Sequence, residues 1–184
     1  MKRRTLLQCL LTAATLGASG RAALADVPPA PFFVWARRFY RAQLTARALR
    51  EGRATAAETA GFDATLGHPL RHYLTDEMQR LFDQAAAKPL PSDTPEGPIL
   101  DFVFGWGALP NREIELVSVT EAPWWQGLVT KNLALVTISI NGNERDLTLK
   151  GEYVPELFTW RIADIDYGEG SGESLRERLE RHGN

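Results

Sequence analysis

His68 and His72 stand four residues apart, a spacing that on one helix sets both imidazoles on the same side, as zinc ligands often are. Pro69 lies between them and marks a helix start, which leaves His68 at or before that start. No Glu follows His68 as in the metalloprotease pattern, so the pair reads as capping and packing, and no metal is expected. Asp101, Asp164 and Asp166 sit near the ends of alternating apolar segments. An acid held there away from water could take a proton, although a hydrogen bond to backbone or arginine is its commoner fate. By alternation Asp164 shares the inward face of Trp160 and Ile162, and Asp166 follows near the strand end. Ser118, Ser139 and Ser171 have no histidine close by in sequence. There is no phosphate loop, dinucleotide fingerprint or Gly-x-Ser-x-Gly elbow, and Gly105-Trp106-Gly107 lacks the helix that phosphate binding needs. No cofactor is expected.

Aromatic side chains are the other candidates, because they supply large contact area at little entropic cost. Tyr40, Trp106, Trp124, Trp125 and Tyr153 are the residues that could line a pocket or meet a partner, with Phe158 beside them. Trp160 belongs to the core by alternation. Trp124-Trp125 differs, since Pro123 and Gly127 place it in a loop where both rings are hard to bury.

Helices come first in the elements that must position these residues. Phe32, Trp35, Ala36, Phe39, Gln43, Ala46 and Leu49 recur every three or four residues, which predicts one amphipathic helix stopped by Gly52. Arg37, Arg38, Arg41, Arg47 and Arg50 fall on its other faces. Thr55 with Glu58 is a capping box for a short helix ending at Gly61. The stretch from Pro69 to Ala87 is helical, with Thr75-Asp76-Glu77 as an internal start that divides it in two. Lys88 to Pro98 reads as a proline-rich connector.

The period then changes from 3.6 to 2. Strands are expected over 99–104, 112–120, 133–140, 145–153 and 158–165, the last with Phe158, Trp160 and Ile162 on one face. Asn141-Gly142 predicts a two-residue hairpin turn pairing Val136 with Leu147 and Ala134 with Leu149. Pro155-Glu156 is a further turn, and a glycine-rich break leads into a short closing helix carrying Leu175 and Leu179. Helices followed by a meandering antiparallel sheet make an α+β pattern in one domain.

The first 25 residues read as an export address and not as part of that fold. Lys2, Arg3 and Arg4 form a basic head, an apolar run extends from Leu6 to Leu16, and Ala23-Leu24-Ala25 offers small residues at both peptidase positions. The run is too short to span a membrane, so no stable anchor is expected. Cleavage between Ala25 and Asp26 leaves residues 26–184 outside the cytoplasm, in the periplasm or secreted. Arg3-Arg4-Thr5-Leu6-Leu7 resembles the twin-arginine signal, which implies the twin-arginine translocase and a signal peptidase as partners. Cys9, the single cysteine, lies inside this address, so the exported part has neither disulfide nor thiolate chemistry. Processing removes four basic residues and no acids, taking the net charge from −2 to −6, which disfavours nucleic acid.

Phe39-Tyr40, Tyr73-Leu74-Thr75-Asp76-Glu77-Met78, Asp101-Phe102-Val103-Phe104, the turn from Trp106 to Asn111, Trp160 to Ile165 and Ser174 to Leu179 together resemble the exported bacterial family known as domain of unknown function 3828. That resemblance spans most of residues 31–181 and implies the nuclear transport factor 2-like fold, a cone of N-terminal helices packed on a curved antiparallel sheet with a short C-terminal helix. In enzymes of that fold a buried Asp removes a proton beside a carbonyl, which implies Asp101 or Asp164 as the base if the chain is a small lyase or isomerase. The family carries no agreed activity. The poverty of nucleophiles and bases favours a non-enzymatic binding or interaction domain instead, taking a small apolar ligand or a protein at the cone mouth or the Trp124-Trp125 loop. An immunity or adaptor protein that blocks a partner belongs to the same group.

Overall fold

The computed structural model describes residues 30–87, 100–106, 113–122, 132–168 and 174–183, and the unit Pro31–Asn184 carries every element named here. Helix α1 (Phe32–Arg50) follows Pro31, and Gly52 takes the left-handed conformation that ends it. Its buried side is wider than the apolar stripe. Tyr40 and Arg47 also face inward, Arg47 reaching Glu51 at 3.1 Å, so Arg47 is not the outward residue that spacing suggests. Helix α2 (Ala56–Ala60) starts at the expected capping box, with Glu58 accepting from the Thr55 backbone N–H at 2.7 Å. A 3₁₀ turn (Leu70–Tyr73) then precedes α3 (Asp76–Ala86), and Thr75 caps the helix between them.

The sheet is antiparallel, four-stranded and strictly sequential: β3 (Ile114–Glu121), β4 (Leu133–Ile140), β5 (Asn143–Val154) and β6 (Thr159–Asp166). Val136 faces Leu147 and Ala134 faces Leu149, as the Asn141-Gly142 turn dictates, both turn residues having positive φ. The segment 99–104 is not a fifth strand. Among its described residues only Leu100–Asp101 (β1) is extended, turning at once into β2 (Gly105–Trp106) in a separate two-stranded ribbon.

Two bulges bend the sheet. One leaves Val117 as the extra residue in β3, and the other leaves Ala163 extra in β6, between the pairs Gly151–Ile162 and Lys150–Asp164. The second bulge inverts the face of everything after it, so Ile162 and Ile165 are both buried although three residues apart. The outer edge of β6 is covered locally by the chain entering α3, where the Thr75 N–H donates to the Ile162 carbonyl at 3.0 Å.

Helix α1 lies across β3 and β4, while α3 and the closing helix α4 (Leu175–Gly183) pack on each other and on β6. Arg176 grips Glu77 with two bonds of 2.6 and 3.1 Å across the α3–α4 contact. The core fills the space between these layers. Among the described residues no helix is long and apolar enough to cross a membrane.

Candidate functional site

Tyr40 does not line a pocket. Its ring is fully buried between Phe39 and Phe104, and its hydroxyl donates to the Val103 carbonyl at 3.0 Å, so it is a core residue. The position next to the apolar stripe on a two-layer helix decides this. Tyr153 is half-buried and stands edge-on to Trp160 across the β5–β6 pair at 5.4 Å. Trp160 in turn packs on Phe32, which makes this cluster a sheet-face packing unit. Asp101 and Trp106 are backbone partners of Gly105 and Leu100 in the small ribbon. Trp124 and Trp125 lie outside the described residues, as do Arg3, Arg4, Ala25 and Asp26.

Asp164 does not share the face of Ile162, because the Ala163 bulge intervenes. Its Oδ1 accepts the backbone N–H of Ile165 at 2.9 Å and that of Arg176 at 3.1 Å. The second bond caps the first turn of α4, which Ser174 and Glu177 cap as well through Ser174 N–H to Glu177 at 2.8 Å. Asp164→Ala is therefore expected to lower stability by about 1 kcal/mol, the usual cost of a lost cap, while Asp164→Asn costs much less. Faster amide exchange at Arg176 in the alanine variant alone is the readout. Asp166 likewise accepts from Gly168 N–H at 2.9 Å in a turn.

His68 and His72 bring their rings to 5.2 Å, both exposed, with His68 ahead of the 3₁₀ turn as Pro69 requires. No cluster of three metal-ligating side chains occurs among the described residues.

Two surface features differ from or add to what the sequence suggests. The first is the β5–β6 tip, where Phe158 is not the first residue of a strand. After Pro155–Leu157 forms a 3₁₀ turn, Phe158 adopts φ 48°, ψ 38°, and the residue is 68% exposed beside an exposed Leu157. The second is a cleft of about 280 Å³ between α1 and the Gly61–Asp63 segment. Arg38, Arg41, Ala42 and Thr45 form its helical wall, and Phe62 and Asp63 face them. Arg38 donates to Asp63 at 2.7 Å. Bonds from Thr65 and then Arg38 hold the Asp63 carboxyl below the usual carboxylate range.

No family model, curated protein or solved structure matches this chain.

Proposed function

We propose that the chain is an exported, non-catalytic binding or protein-interaction domain of the nuclear transport factor 2-like kind, meeting its partner with its surface and not with a cone interior. The observation that carries this reading is the filled space beneath α1, where Phe32, Phe39, Tyr40, Leu74, Met78 and Ile138 are all 0% exposed. Among the described residues, side chains and not a substrate occupy the space between α1 and the sheet. The acid that alternation nominates as a base, Asp164, is committed to two backbone donors. The cone is supported by a helical layer over an antiparallel sheet bent by two bulges. Export is supported by the basic head, the apolar run and the small residues at Ala23 and Ala25.

The β5–β6 tip is the contact this reading favours for a protein partner. A phenylalanine in the left-handed region costs about 1–2 kcal/mol that glycine would not, and here its ring gains little burial in return. An adaptor or immunity role is one form of such contact. Phe158→Gly is expected to raise stability by about 0.5–1 kcal/mol, the strain relief less glycine's entropy. The same change should strip a partner chain from the protein isolated from its source, as read by native mass spectrometry. A native protein that travels alone, or a variant that keeps its partner, overturns the assignment.

A further inference from the structure

We infer that the cleft between α1 and the Gly61–Asp63 segment is a binding site for a small organic monocarboxylate, gripped by Arg41 and Thr45. The starting point is the charge on α1, which holds five arginines and no acid. Three of them are spoken for within the fold: Arg37 donates to the Val119 carbonyl at 2.7 Å, Arg38 to Asp63 and Arg47 to Glu51. Arg41 is exposed and has no hydrogen-bond or ion-pair partner among the described residues, and neither does the Thr45 hydroxyl one turn further on. Three- and four-residue spacing sets Arg38, Arg41 and Thr45 on one side of the helix, and all three line the same cleft.

Charge decides the class of ligand. The Asp63 carboxylate stays ionised at neutral pH and offsets Arg38, so one positive charge, that of Arg41, is left over. A single carboxylate balances it and matches the planar two-pronged guanidinium. A dicarboxylate or a phosphate dianion would bring a second negative charge against Asp63. Asp63 also shows, on Arg38, that a carboxylate fits this wall at 2.7 Å. The Ala42 methyl and the Phe62 ring supply an apolar wall for the rest of the molecule. About 280 Å³ lies just below the usual range of ligand pockets, which favours a compact aliphatic or aromatic acid. The inference does not depend on what the β5–β6 tip contacts.

Titration of the full chain with benzoate, followed by ¹⁵N NMR at the amides of Gly61, Phe62 and Asp63 and at Arg41 Nε–H, tests it. Saturable shifts confined to these groups are expected. Arg41→Gln, a change at an exposed side chain that leaves the spectrum otherwise dispersed, should weaken binding about tenfold or more. Asp63→Asn keeps an oxygen for Thr65 while freeing Arg38, and should tighten binding by roughly threefold or more. Inorganic phosphate, the second probe, should bind more weakly than benzoate. Shifts spread over every surface arginine, equal binding by the Arg41 variant, weaker binding by the Asp63 variant, or a preference for phosphate would each overturn the site.

Discussion

Gly151→Val is expected to unfold the protein at room temperature, and Gly151→Ala to cost about 2–3 kcal/mol. An ideal Cβ at position 151 would lie 2.3 Å from the ring of Phe32, inside any real contact. That ring has nowhere to go. It stacks on Trp35 at 5.7 Å, meets Trp160 at 5.1 Å, is fully buried, and belongs to the first residue of α1. Strand propensity favours valine over glycine, but that scale spans only about 1 kcal/mol, so the clash decides the sign. A double-mutant cycle isolates the contact. Phe32→Ala alone should cost about 3–5 kcal/mol, because the hole cannot collapse against a sheet. With Phe32→Ala in place the added methyl of Gly151→Ala has room, so its cost should vanish and the coupling should reach about 2–3 kcal/mol. Urea midpoints with unchanged m values are the measurement. Additive costs would mean that Phe32 does not rest on Gly151.

What could be read in advance was whatever is set locally. The capping box at Thr55 and Glu58, the break at Thr75, and the Asn141-Gly142 register depend on residues within a few positions of each other, and all stand where expected. Features that need two distant segments were hidden. The Ala163 bulge lies opposite Gly151, the glycine on which Phe32 rests, and it turns Asp164 from the face of Ile162 toward α4. Its one trace in sequence is the spacing of Ile162 and Ile165, three apart in a segment of period two. Phe158 looked like a strand residue because aromatic alternation continues through it, whereas Pro155 had already committed the chain to a tight turn. The arginine cleft was invisible for another reason. Its facing wall comes from Phe62 and Asp63, about twenty residues beyond Arg38 and Arg41, and charge spacing on α1 says only that the arginines face solvent. Fold class was thus within reach, while the pairing of α1 with the Gly61–Asp63 segment was not.

Tyr40→Ala should destabilise the protein by about 3–5 kcal/mol, a large share of the stability of any domain this size. The ring stands edge-on to Phe39 at 5.5 Å and to Phe104 at 5.9 Å, so truncation empties the junction between α1 and the turn leaving β1. Tyr40→Phe keeps that packing and removes only the oxygen that donates to Val103, which should cost about 1–2 kcal/mol. The pair of variants separates two roles for an aromatic that spacing alone leaves open. A ligand-lining tyrosine would lose binding and keep its midpoint, because a rim residue contributes little to folding. A core tyrosine loses its midpoint in proportion to the atoms removed, and the phenylalanine variant falls between wild type and alanine. Equilibrium urea unfolding of the three proteins gives that order directly. The hydroxyl also ties α1 to residues 102–104, the turn from which Phe102 accepts a bond from Tyr167 at 2.7 Å. Amide exchange in that turn should accordingly rise in Tyr40→Phe before global stability has changed much, since one of its anchors is gone while the buried rings remain.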